Sequence, residues 1–263
     1  MRSSVIVVVA IAVGAVAAGC GSSSDAAKAK ASLRAAASTT APLTARQQPP
    51  TVQQQATPAA QQFPAYTATA LQSQIDVHSA PNGPITVTLT SPLPEGTPLT
   101  LLLTPGITQT GGGWLQVFLP TKPNGSTGWI PANEVKVQGD PYRLVVTQST
   151  HQLNVYNFSN LDRSYPVAIG APETPTPLGT YYITELLKTT NPGVYGDYAY
   201  GLSGHSPTLT DFDGYDAEIG LHGTGDPSSI GHSVSHGCVR LNNADVDALV
   251  PMLPLGTPVE IQA

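Results

Sequence analysis

The sequence predicts a mainly β protein, built as a small strand-rich barrel followed by a larger strand meander with one or two short helices. Three observations lead there. Apolar and polar residues alternate in short runs, the period of a half-buried strand. Turn residues punctuate those runs, with 25 glycines and 25 prolines in 263 residues. Apolar spacing at helical period occurs only in a short segment close to the C-terminus.

The first element is not structural. Met1 and Arg2 give a short basic start, and Val5 to Ala18 is an apolar run. Ala17, Ala18, Gly19 and Cys20 then supply small residues ending in a cysteine. This is the form of an export signal over 1–19, shorter than the roughly 20 apolar residues of a membrane span. The ending resembles the bacterial lipobox, with Ala17 where a leucine is usual. That resemblance implies lipidation of Cys20 and anchoring to a membrane without spanning it. Plain secretion with Cys20 lost or unmodified stays open. Residues 20–66 are dominated by Ala, Ser, Thr, Gln and Pro. They carry too few large apolar groups to offset the entropy of ordering, and read as a disordered tether.

The segment 67–139 changes character. Ile75 and Val77, Ile85 to Leu89, and Leu99 to Leu103 alternate with other residues; Trp114, Gln116 and Phe118 follow, then Gly128-Trp129-Ile130. Many short strands in so few residues imply a small barrel or sandwich. The Gly-Trp-Leu-Gln-Val and Gly-Trp-Ile strings resemble a bacterial SH3-like domain, which implies cell-wall binding or spacing. Trp114 and Trp129 read as core aromatics, with a ligand platform as the other reading.

The segment 141–263 opens at Asp140-Pro141. Leu144 and Val146, Leu153 and Val155, and Tyr165, Val167 and Ile169 form a meander. Thr176 to Gly179 is a turn, and Tyr181 to Ile183 a strand. Lys188 to Glu218 is long, rich in Gly and Tyr and weakly periodic, as active-site lids are. Ala244 to Leu253 places Val246, Leu249, Val250 and Leu253 on one helical face behind Asn243 as cap. Pro258 to Ile261 closes the domain as a strand.

The formal charge of −6, without a Lys/Arg cluster, argues against nucleic acid. The chain has two cysteines. With Cys20 lipidated, Cys238 has no disulfide partner and is either buried and inert or reactive. Its surroundings favour reactivity. A thiol needs a base or a positive field to become thiolate, and His222 and His236 are both near in sequence. Gly237 removes a side chain from the approach and lets an amide face an oxyanion. Arg240 shares a face with Cys238 in an extended segment, where it suits a substrate carboxylate. Two bland readings remain: an inert core thiol, or zinc held by His222, His232, His236 and Cys238. Asp211, Asp213, Asp216 and Glu218 lack the order of a calcium loop and read as a solvated acidic segment.

His222-Gly223-Thr224 followed by Ser235-His236-Gly237-Cys238-Val239-Arg240-Leu241 resembles the L,D-transpeptidase catalytic domain of the YkuD type. The resemblance runs over about Pro141 to Gln262. It implies a β-sandwich with one or two short helices, a peptidoglycan stem peptide as donor and another as acceptor, no metal or organic cofactor, and acylation by carbapenems. It implies Cys238 as nucleophile, His222 as base and the Gly223 carbonyl as the holder of its tautomer. Ser235 and His236 would support the site, the Gly237 and Cys238 amides would form the oxyanion hole, Arg240 would bind carboxylate, and Tyr200 would approach the acyl group. An NlpC-type endopeptidase would place Cys before His, the reverse of the order here. A carboxypeptidase with water as acceptor, and a wall-binding lipoprotein with an idle catalytic domain, remain as alternatives.

Overall fold

The computed structural model describes residues 63–106, 113–211 and 216–263. Cys20, the export signal and nearly all of the tether, and Asp213, lie outside the described residues. Nineteen elements matter here. The N-terminal strands are β1 (Ala65–Ala70), β2 (Gln74–His78), β3 (Ile85–Thr90), β4 (Thr100–Leu102), β5 (Trp114–Phe118), β6 (Thr127–Pro131) and β7 (Val135–Asp140). Next come β8 (Tyr142–Thr147), β9 (Gln152–Asn157), β10 (Asn160–Pro166), β11 (Ile169–Gly170) and β12 (Gly179–Lys188). The remainder are α1 (Pro192–Tyr195), β13 (Tyr198–His205), β14 (Glu218–His222), β15 (Ser233–Ser235), β16 (Val239–Arg240), α2 (Asn243–Leu249) and β17 (Pro258–Gln262). The described residues are mainly β, as the periodicity predicts, with two short helices, of which α2 is the one that the helical spacing marks.

The first seven strands make two small sheets, ordered β4-β1-β7 and β3-β2-β6-β5. Their shared core takes alternate residues from each strand: Ile75 and Val77, Leu115 and Val117, and Ile130. That parity decides where the tryptophans go. Trp114 and Trp129 occupy the opposite parity to Leu115 and Ile130, so both are only partly buried and neither joins the core. They share the outer face with His78, whose ring meets Trp114 edge-on at 4.8 Å. The core reading of these aromatics is therefore corrected.

The remaining strands form one eight-stranded sheet, β10-β9-β8-β17-β12-β13-β14-β16, and a parallel pair, β11-β15. The sheet wraps a core of Leu144, Val155, Tyr181, Leu202, Ile219, Val239 and Ile261, closed by Val246 and Leu249 of α2. Much of the expected lid is strand instead. β13 lies inside the sheet and pairs with both β12 and β14. It reads as loop because both of its faces are covered, and because small residues stand where neighbours come close. A Cβ at Gly204 would sit 2.6 Å from the Tyr181 ring. α2 starts one residue before the expected helix, with Asn242 rather than Asn243 at the cap position.

The two sets of strands meet across side chains. Tyr182 of β12 is fully buried in the N-terminal core, and its hydroxyl donates to the Phe118 carbonyl at 3.3 Å. Thr257 Oγ1 donates to buried Asp140 at 2.7 Å.

Candidate active site

The site hangs on a short parallel pairing. Leu221 stands opposite Val239, and His222 opposite Arg240. β16 is fixed on both sides, because Arg240 also exchanges two backbone hydrogen bonds with Ala168, at 2.8 and 2.9 Å. Alternation then puts Gly220 and His222 on one face of β14, and Cys238 and Arg240 on one face of the neighbouring chain. A cavity of about 220 Å³ opens there, lined by His222, His236, Cys238, Arg240 and Tyr195. Ser206 and Leu209, after β13, and Ala217 and Glu218, at the start of β14, also line it.

Cys238 is a free, partly exposed thiol. The Gly220 amide donates to its sulfur at 3.3 Å. Burial pushes the thiol pKa up, while the Gly220 N–H and the Arg240 charge pull it down, with burial winning. A Cβ at Gly220 would press on the Tyr200 carbonyl oxygen at 3.1 Å and sit in ordinary contact, 3.9 Å, with both Cys238 Sγ and His222 Cδ2.

His222 is 4 % exposed. Its Nδ1 meets the Gly223 carbonyl at 2.6 Å. A carbonyl only accepts, so Nδ1 carries the hydrogen and Nε2 of the neutral ring is left as the base. Burial lowers the imidazole pKa to about 4, with Arg240 pulling in the same direction and the Gly223 bond opposing. The resting pair at neutral pH is therefore thiol and neutral imidazole. Tyr195 of α1 stands edge-on to the His222 ring at 5.0 Å and shields it from water. Asn243 Oδ1 accepts the Thr224 N–H at 2.7 Å and pins the loop after His222. A Cβ at Gly223 would collide with that same oxygen.

The turn that presents Cys238 is held from within. Ser235 is 0 % exposed. Its hydroxyl donates to the Cys238 carbonyl at 2.6 Å and accepts the Gly237 N–H at 3.1 Å. Thr176 Oγ1 donates to the Gly237 carbonyl at 2.8 Å and accepts the Gly170 N–H at 2.8 Å. Gly237 has φ +121°, a conformation that side-chain-bearing residues rarely adopt. The expected pairing of the Gly237 and Cys238 amides in an oxyanion hole is thus corrected. The Gly237 amide is engaged by Ser235, and only the Cys238 amide keeps that candidacy. Gly220 enters the site unmarked by the sequence, and Thr176 and Asn243, read there as a turn residue and a helix cap, enter it in roles the sequence did not assign.

Other expected residues fall into place or away from it. Arg240 and exposed His236 reach the cavity, and His232 does not. Among the described residues no three His, Cys, Asp or Glu side chains gather as metal ligands. Tyr200 is 1 % exposed, packs in the core, and has no hydrogen-bond partner for its buried hydroxyl. Strand parity turns it inward, so Tyr195 is the tyrosine at the cavity. Asp216 lies 2.6 Å from Lys122 and 3.7 Å from His205, and Glu218 lies 3.9 Å from His205. Those carboxylates face cationic or ionisable partners.

A thiol, an imidazole with its free nitrogen fixed by a backbone carbonyl, and a nearby guanidinium suit attack on a carbonyl next to an anionic group. Comparisons with known proteins agree. The L,D-transpeptidase catalytic domain family (YkuD) matches residues 141–261. The YkuD protein of Bacillus licheniformis is 38 % identical over 122 residues, 46 % of this chain and 66 % of its own. The chain thus spans just under two thirds of that relative. The YqjB protein of Bacillus subtilis is 34 % identical over 137 residues, 50 % of this chain and 76 % of its own. Both relatives are named for L,D-transpeptidases. The crystal structure of an L,D-transpeptidase from Mycobacterium tuberculosis aligns at 16 % identity and a TM-score of 0.43, covering 63 % of this chain and 90 % of that one. On the identity and coverage of the YqjB relative, the chain belongs to the L,D-transpeptidase family.

Proposed function

We propose that this protein is an exported L,D-transpeptidase that joins peptidoglycan stem peptides through a thioester on Cys238. The observation that carries the reading is the single cavity shared by Cys238, His222 and Arg240, with Nε2 of His222 left free as a base. As Cys238 Sγ attacks the carbonyl of the third stem residue, His222 Nε2 takes the thiol proton. The C–N bond to the terminal D-alanine then breaks, and His222 returns the proton to the departing amine. The side-chain amine of a neighbouring stem attacks the thioester, its surplus proton passes through His222 Nε2 to the departing sulfur, the C–S bond breaks and the thiol is restored. The product is a cross-link between two third residues.

Within this scheme Gly223 fixes the imidazole and Ser235 fixes the Cys238 turn. The Cys238 amide faces the oxyanion, His236 lines the donor side and Arg240 binds a stem carboxylate. Lipidation at Cys20 would hold the enzyme at the outer face of a membrane, with residues 20–66 as tether and the SH3-like 67–139 segment as the wall-facing module. The test is muropeptide analysis of wild type beside Cys238→Ala after incubation with tetrapeptide-bearing peptidoglycan. Dimers linked through third residues with wild type alone are expected. Trimmed stems without dimers make the enzyme a carboxypeptidase. Dimers undiminished with Cys238→Ala overturn the scheme.

A further inference from the structure

The turn between β5 and β6 reaches across to the end of β13 and to the approach to β14, next to the cavity-lining residues Ser206 and Ala217. Asn124 Nδ2 donates to the His205 carbonyl at 2.8 Å, and Asn124 Oδ1 accepts the His205 N–H at 2.9 Å. At the other end Lys122 Nζ lies 2.6 Å from Asp216 Oδ1. His205 is the last residue of β13, and Asp216 stands two positions before β14. Ser206 and Leu209, which follow His205, and Ala217, which follows Asp216, line the cavity together with Cys238.

The Asn124 bridge has a structural reason. The pairing of β12 with β13 reaches only to Leu202, so the outer polar groups of His205 have no strand to meet. His205 is 3 % exposed, and unpaired buried backbone groups are costly. The carboxamide of Asn124 presents one donor and one acceptor side by side, as a strand residue does, and extends the ladder by one position. The Lys122 pair, with side chains 41 % and 64 % exposed, adds direction more than stability. Cys238 and His222 are anchored separately, through the Gly220 amide and the Gly223 carbonyl.

We propose that Asn124 is a positioning residue for the active site. Acting through the His205 backbone, with Lys122 at the far end, it sets the wall that the donor peptide lies against. The N-terminal strands thereby become part of the substrate-binding apparatus. This inference rests on the acyl-transfer reading for its substrate but not for its geometry, and two readouts on the full chain separate them. In Asn124→Ala, KM for a tetrapeptide stem should rise about fivefold while kcat stays within about twofold. Lys122→Asp should raise KM in the same way, and adding Asp216→Lys should restore it. Independently, Cys238 alkylation by iodoacetamide should stay within about twofold of wild type, while a bulky fluorescein iodoacetamide should react at least about threefold faster as the wall relaxes. Unchanged KM in a turning-over enzyme overturns the proposal. So do equal changes with both reagents, which would signal general loosening, or no change with either. If wild type turns over no stem yet Asn124→Ala shifts the reagent ratio, the acyl-transfer reading fails and the positioning role stands.

Discussion

Ser235→Ala should loosen the turn that presents the nucleophile, by an amount that can be worked from its bonds. The Ser235 hydroxyl serves two backbone groups, the Cys238 carbonyl at 2.6 Å and the Gly237 N–H at 3.1 Å, from a fully buried position. Alanine removes the one hydroxyl that serves both groups. A buried group left unsatisfied costs about 1–3 kcal/mol. Because Cys238 is partly exposed, its carbonyl falls at the lower end, and the pair together should cost roughly 2–4 kcal/mol. The described residues, from 63 onward, belong to one compact unit. For a unit of that size each kcal/mol lowers Tm by about 2–4 °C, so a drop of roughly 5–15 °C is expected. Urea unfolding should show a lower midpoint with an unchanged slope. Turnover should fall by about tenfold or more as Cys238 loses its fixed approach. A Tm within about 1 °C of wild type, together with normal turnover, would refute the reasoning that Ser235 holds this turn.

Four further outcomes follow from the same geometry. His222, with its pKa lowered to about 4, binds protons less readily when folded than when unfolded. Its contribution is therefore complete above the ordinary histidine value of 6.5 and is lost as pH falls from there toward 4. Activity on stems should likewise hold through neutral pH and decline only near pH 4, whereas an acid limb near 6.5 would contradict the buried base. Tyr200→Phe should leave activity unchanged and stability equal or higher, since the lost hydroxyl has no partner. Tyr195→Ala, by exposing the His222 ring, should move that acid limb toward 6.5 and lower turnover; a reversed pattern would return Tyr200 to the site. Gly223→Ala should abolish turnover and destabilise the fold, because the new methyl collides with Asn243 Oδ1. Turnover near wild type for this variant, measured with a melting curve, would show that the loop after His222 is not rigidly set.

Much of this was legible in the sequence wherever a strand buries one face. β2, β5 and β9 show the alternation of Ile75 with Val77, Leu115 with Val117 and Leu153 with Val155. β13 was not legible, because both of its faces are covered and Gly201, Ser203 and Gly204 give it the composition of a loop. At the site, Cys238, His222, Gly223 and Arg240 stood out because two short segments carry them, and their pairing as β14 and β16 follows the order of the chain. Thr176, Gly220 and Asn243 act through bonds to backbone far away in sequence, and such bonds leave no local pattern. The choice between Tyr195 and Tyr200 depends on strand parity within a stretch whose strand could not be recognised. The role of Gly237 changed for a related reason: its φ of +121° serves the turn, and its amide was already taken.

The claim that Cys238 is the acylated nucleophile is tested most directly by the intact mass of the protein after exposure to a carbapenem. The account predicts one covalent adduct on wild type, none on Cys238→Ala, and a strongly slowed adduct on His222→Gln. No adduct on wild type, or an undiminished adduct on Cys238→Ala, would contradict it.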